Sequence, residues 1–171
     1  MSYNLAIPER IRDFITIAEI EDPTPVIQDL FLRKFGDEPP TFGHHIVAFY
    51  VAGPSRTPIS YLHLWTRNRL GYVGGGCTDG RVFKQLTELQ KKAISAEGGL
   101  LRQTLLYCFT RHENELDAFF GHCGNARAKE VDLAAGFLET SEEKLLVRWN
   151  VELPEHKKHA LINEAISIGD F

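Results

Sequence analysis

The stretch I-S-Y-L-H-L-W-T, Ile59 to Thr66, alternates strictly: Ile59, Tyr61, His63 and Trp65 share one face, and Ser60, Leu62 and Leu64 the other. A period of two is the signature of a β-strand. Turn-forming residues bracket it, G-P-S-R-T-P before and Arg67-Asn68-Arg69 after. Beyond each turn lies another apolar run, H-I-V-A-F-Y-V-A from His45 to Ala52 and L-G-Y-V-G-G-G-C from Leu70 to Cys77. Connections this short cannot carry the crossover that a parallel pair requires, so the three runs are expected to form an antiparallel meander. The rest of the chain must be built around it.

Upstream, F-I-T-I-A-E-I-E from Phe14 to Glu21 carries both helical spacing and β-branched alternation; a strand is the preferred reading. In V-I-Q-D-L-F-L-R-K-F, residues Val26, Ile27, Leu30, Phe31 and Phe35 recur on one helical face. Thr24 followed by Pro25 starts that helix, and Gly36 with Pro39-Pro40 stops it. Downstream, Val82, Phe83, Leu86, Leu89 and Ala93 keep a helical period that Gly98-Gly99 is expected to end. Leu100 to Thr110, the most apolar segment, is read as the central strand of the sheet. Glu113 to Ala135 has helical composition but is interrupted at Gly121 to Gly124, after which Asn125 can cap a second helix ended by Gly136. Two extended segments around Lys144 to Leu153 and a final helix over roughly Glu155 to Ile168 complete the chain. The expected fold is a single α/β (α+β) domain, 1–171, with a mixed, mostly antiparallel sheet and helices on both faces.

At 171 residues the chain can bury one sizeable core. A net charge of −4 speaks against a nucleic-acid binder, which needs a basic face. No apolar run reaches bilayer length, and M-S-Y-N-L-A-I-P-E-R lacks the basic-then-apolar pattern of a leader, so no membrane association is expected. Three widely spaced cysteines, Cys77, Cys108 and Cys123, make no disulfide framework and fit a cytoplasmic protein. They are read as buried free thiols with no metal expected; the alternative is a zinc site from Cys77, Cys123 and His122.

Between the last meander strand and the next helix lies Y-V-G-G-G-C-T-D-G-R-V-F, Tyr72 to Phe83. A helix start leaves backbone N–H groups unpaired, and glycines let them approach an anion closely. Gly80, Arg81, Val82 and Phe83 could supply such donors. Asp79 competes, because as an N-cap it satisfies the same donors and places a negative charge there. Gly74 to Gly76 could bulge the strand.

The order of elements, together with N-A-R-A-K-E-V-D-L-A-A-G-F, resembles the GNAT superfamily of N-acetyltransferases. Many members carry Asn-x-x-Ala-x-x-x-Tyr-x-x-x-Gly-Phe, and here Asn125, Ala128, Gly136 and Phe137 stand in register. The tyrosine position, which in many members protonates the departing thiolate, holds Asp132. The pyrophosphate loop, Gln/Arg-x-x-Gly-x-Gly/Ala in the family, is matched only by Cys77-x-x-Gly80-x-Val82. The resemblance implies acetyl-CoA as cosubstrate, held by Gly80 to Phe83 and Asn125, and direct attack of a small or N-terminal amine on the thioester. His112 or His63 would be the general base and Asp132 the proton-handling group. The alternative is a non-catalytic ligand-binding or assembly protein of the same shape. The apolar content of the meander and the last helix would allow a homodimer.

Overall fold

The computed structural model describes residues 7–171; the first part of the stretch in which no leader is expected lies outside them. Its elements are β1 (Ile15–Ile20), α1 (Thr24–Phe35), β2 (His44–Ala52), β3 (Ser55–Arg67), β4 (Leu70–Thr78), α2 (Gly80–Phe83), α3 (Glu88–Ala96), α4 (Leu100–His112), β5 (Ala118–His122), α5 (Ala126–Ala134), β6 (Leu138–Glu139), β7 (Leu145–Trp149) and α6 (Glu155–Ile168). The seven strands form one sheet in the order β1-β2-β3-β4-β5-β7-β6. The meander β2-β3-β4 is antiparallel as expected. The β4–β5 pair is parallel, spanned by a crossover that contains α2, α3 and α4.

Both faces of the sheet are covered, so neighbouring residues on one strand enter opposite cores. Val73 and Phe119 pack with Leu105, Cys108 and Phe109 of α4. Their neighbours Tyr72 and Phe120 pack with Ala165, Leu161 and Ile162 of α6. Val47 and Tyr61 meet Ile27, Leu30 and Phe31 of α1 on that same second face. The start of α1 is as read, with Pro25 in its first turn, and Gly36 closes it at φ +72°, a conformation that costs glycine little.

The crossover departs from the sequence reading. Leu100 to Thr110 is not a strand: it is most of α4, and the central strand beside β4 is Ala118–His122. The buried positions Leu100, Gln103, Thr104, Leu105, Cys108, Phe109 and His112 trace one helical face. Leu101, Leu106 and Tyr107 are also partly covered, which fills in the gaps of the pattern and disguises its period. Gly98-Gly99 therefore both ends one helix and starts another. The helix read through Val82 to Ala93 is split in two, because Thr87 and Gln90 form a capping box that begins α3 afresh.

Candidate functional site: the cleft where β4 parts from β5

The β4–β5 ladder runs only from Leu70↔Ala118 to Val73↔Gly121. Beyond Val73, β4 continues to Thr78 with no β5 partner, and the two strands separate. A bulge accompanies the separation: β3 passes from Tyr61 to His63 while β4 passes from Cys77 to Gly74. The extra residue is absorbed at Gly75, whose φ of +60° requires glycine. The run of glycines thus has a local structural cause.

A cleft of about 750 Å³ opens at this end of the molecule, within the range of small-molecule and cofactor sites. It is bordered by Thr78 and Gly80, by Gly98 to Arg102 at the start of α4, and by Asn125, Arg127 and Ala128 at the start of α5. Among the described residues, Lys34, Lys91, Arg102 and Arg127 line it and no carboxylate does.

The two candidate helix starts differ in kind. At α2 the Asp79 carboxylate accepts from the Arg81 amide at 2.9 Å and from Arg33 Nη2 at 2.8 Å. Asp79 is 4% exposed. Burial alone would raise its pKa, but the Arg33 bond and the Arg81 and Val82 amides outweigh that and hold it below the usual value. The anion position at α2 is therefore filled by the chain's own carboxylate. At α4 the first intrahelical bond is Gln103 N–H to Gly99 C=O, and no side chain caps the helix. The amides of Leu100, Leu101 and Arg102 have no intrahelical acceptor, and a 13-residue helix points its positive end at the cleft.

Asp79→Ala should cost about 1–2 kcal/mol, the loss of a cap plus part of a buried ion pair. Asp29 still holds Arg33 in that variant, which keeps the cost from growing further. Because the folded-state pKa of Asp79 is depressed, its contribution is complete above the unfolded value near 3.8 and disappears as pH falls through the folded value. Urea unfolding of the variant and wild type at pH 7 and in acid measures this: the gap should close in acid.

The other sequence candidates fall in different places. Gly80 and Phe83 border the cleft, whereas Val82 is buried in the core beneath α2 and α3, and Arg81 is not among the lining residues. Asn125 borders the cleft and caps α5, accepting from Ala128 N–H at 2.9 Å, which leaves its amide NH₂ available. Asp132 lies one turn after Ala128 along α5. Burial raises its carboxyl to about 6.

His63 is 6% exposed and lies opposite Gly74, where the strands begin to separate. Its Nε2 donates to Phe42 C=O at 2.7 Å, so in the neutral ring Nδ1 carries the free lone pair. Burial holds its pKa low, and the Phe42 bond only partly offsets that. His112 ends α4, about 18 Å from the amides at the helix start by helical rise. It is not at the end of a central strand, because the element it ends is a helix. It contacts Glu19 and His44 instead.

The cysteines do not assemble: Cys77 packs in the α1 core, and Cys108 and Cys123 in the α4 core. Among the described residues, the one group of histidine and acidic side chains with converging ligand atoms is Glu19, His44 and His112. Two further groups have no signal in the sequence. Tyr72 Oη and His122 Nε2 are buried without hydrogen-bond partners beneath Phe171, whose ring lies 5.0 Å from Tyr72 and 4.4 Å from His122. The C-terminal Phe171 is what the two side chains share, and its carbonyl oxygen lies 2.6 Å from where a Cβ at Gly74 would stand.

The architecture is that of the GNAT N-acetyltransferases. The ribosomal-protein-S18-alanine N-acetyltransferase from Escherichia coli superposes with a TM-score of 0.58 at 13% identity, over 82% of this chain and 97% of that one. N-acetylglutamate synthase from Neisseria gonorrhoeae, complexed with coenzyme A and L-arginine, gives 0.55 at 12% identity, over 80% of this chain and 33% of that one. An acetyltransferase of the GNAT family from Staphylococcus aureus Mu50 gives 0.50 at 12% identity, over 80% of this chain and all of that one, 100%. No protein-family model matches the sequence, and no curated protein aligns with it significantly. Among the described residues, no helix is long and apolar enough to cross a membrane.

Proposed function

We propose that the chain is an acyl-CoA-dependent N-acyltransferase whose cofactor site is the cleft beyond the C-terminal ends of β4 and β5, with α4 as its anion-binding element. The observation that carries this reading is the uncapped start of α4, facing a cleft lined by four cations and no carboxylate. The donor set fits a pyrophosphate: three amides without an intrahelical acceptor, a helix N-terminus and flexible cationic side chains nearby. Coenzyme A bound to a protein of this fold, as in the N. gonorrhoeae synthase, supports the choice of ligand. When bound, acyl-CoA supplies an acyl group activated as a thioester.

The chain's own groups then divide the work. The amides of Leu100 to Arg102 hold the phosphates, with Lys34, Lys91 and Arg127 around them. The unpaired edge of β4 beyond Val73 offers backbone donors and acceptors to an extended arm. The Asn125 amide donates from the α5 side. His63 Nδ1 takes the proton from the acceptor ammonium, its low pKa keeping it neutral at pH 7. Asp132, raised to about 6, supplies a proton to the departing thiolate in the role that tyrosine plays in many relatives. The acceptor is a small or N-terminal amine.

Calorimetric titration with CoA and acetyl-CoA tests the binding step, and thiol release with primary amines tests turnover. Absence of binding at millimolar CoA, the upper end of ordinary substrate affinities, would sink the reading. A non-catalytic CoA-binding protein is the second reading, favoured by one fact: neither His63 nor His112 borders the cleft. Binding without thiol release would select it.

Asp132 also makes a prediction that needs no substrate. Its folded pKa of about 6 lies above the ordinary value of 3.8, so ionising it costs stability as pH rises between those values. Asp132→Asn should therefore stabilise the chain at pH 7 by about 1–2 kcal/mol, after allowance for partial solvent access. Below pH 4 the gain should be absent. Chemical unfolding at the two pH values decides it; a gain that does not change with pH would contradict the buried-carboxylate account.

A further inference from the structure

At the far end of α4 from the cleft, three elements bring together a carboxylate and two imidazoles. Glu19 comes from β1, His44 opens β2 and His112 closes α4. We propose that Glu19, His44 and His112 form a binding site for a divalent transition-metal ion of the zinc class.

The geometry is close to what such an ion needs. One ligand atom from each residue lies within 4.8 Å of the others. Glu19 Oε1 is 2.6 Å from His44 Nδ1, and Glu19 Oε2 is 3.2 Å from His112 Nε2. Nitrogen and oxygen ligands at about 2.0–2.1 Å around a tetrahedral ion stand roughly 3.3 Å apart. The Glu19–His112 edge already has that length, and the half-buried His44 ring has room to turn.

A second observation points the same way. Glu19 Oε2 and His112 Nε2 are both buried and face each other at 3.2 Å, yet among the described residues neither makes an aligned hydrogen bond. His112 is 4% exposed, so water does not readily supply the missing partner. Native structures leave few buried polar atoms in this state, and a bound ion is one of the ordinary reasons.

The surroundings suit a metal as well. The other ring nitrogen of His112, Nδ1, lies 3.8 Å from the exposed Glu115 carboxylate, too far for a hydrogen bond but a negative charge that favours a cation nearby. The C-terminal end of α4 favours positive charge. Arg111 Nε, 3.5 Å from Glu19 Oε2, competes for the same oxygen, but its side chain is 49% exposed and can swing into solvent. Two imidazoles and one carboxylate select zinc, cobalt, nickel or copper over magnesium and calcium, which demand more oxygen ligands. Three protein ligands leave the fourth position to water. The ion would tie the β1–β2 edge of the sheet to the end of α4, apart from the acyl-transfer cleft.

The test uses the full chain, treated with chelator and dialysed, then titrated with Zn²⁺ in competition with a chromogenic chelator. One ion per chain is expected, with a rise in melting temperature. His44→Ala and Glu19→Gln should each weaken Zn²⁺ binding by at least about 100-fold, beyond the 10–100-fold that loss of a mere supporting partner costs. His44 is 34% exposed, so its removal should leave the fold intact even where a change at buried His112 would not. CoA affinity should not change in either variant, which separates this site from the cofactor cleft. Markedly less than one ion per chain would overturn the proposal. So would undiminished affinity in His44→Ala, or binding abolished by Cys123→Ser instead.

Discussion

Phe109→Ala should lower the unfolding free energy by about 3–5 kcal/mol, the usual cost of emptying a buried aromatic site. The ring is 1% exposed. It lies 4.7 Å from the Phe119 ring and 5.3 Å from that of Phe137, with the Arg148 guanidinium 4.7 Å above it. Removing it would leave a hole where α4, β5 and the segment after α5 meet, and would strip a cation–π contact from Arg148. Tyr107→Ala provides the comparison. On an alternating strand, Tyr107 and Phe109 would share a face and cost about the same. On α4, Tyr107 is only partly buried, so its removal should cost about 1 kcal/mol. Urea midpoints at unchanged slope measure both, and similar losses at the two positions would contradict the helix.

Those two residues also show why part of the fold is hidden from the sequence. The meander is legible because its middle strand alternates without a break and its turns are short. The helix from Ala126 to Ala134 is legible because Asn125, Gly136 and Phe137 mark its ends. Leu100 to His112 is not, because α4 rests on the sheet and is also flanked by neighbouring elements. A helix covered on several sides loses its polar stripe, and what remains resembles the unbroken apolar run of a buried strand. The true central strand, A-F-F-G-H, is only five residues long and sits inside a segment of helical composition.

The reading of α4 also decides where a candidate site is sought. With α4 read as a strand, Gly98-Gly99 can only be a helix end, and the candidate anion site falls on Gly80 instead. Of the residues the resemblance points to, Asn125, Gly80 and Phe83 all border the cleft. The resemblance cannot show that Asp79 is already paired with Arg33 and occupied with capping α2. Nor can spacing bring Glu19 and His44 to His112, because they are 25 residues apart from each other and far from α4 along the chain.

The central claim is that α4, and not α2, receives the phosphates, and a paired substitution tests it most directly. Gly99→Asp and Gly99→Asn impose the same backbone strain at φ +94°, and an added Cβ meets nothing within 4 Å. The two variants differ only in charge. A carboxylate about 4 Å from a phosphate costs roughly 4 kcal/mol at the effective dielectric of a protein surface, enough for a loss of at least about 100-fold. The same pair of substitutions at Gly80, where an added Cβ also meets nothing within 4 Å, places its charge at the start of α2, beside Asp79, on another border of the cleft. Calorimetry should therefore find CoA bound at least about 100-fold more weakly by Gly99→Asp than by Gly99→Asn. Between Gly80→Asp and Gly80→Asn the difference should be clearly smaller than at Gly99, because a charge farther from the phosphates repels them less. A large charge effect at Gly80 with little at Gly99 would place the phosphates at α2 and contradict the account.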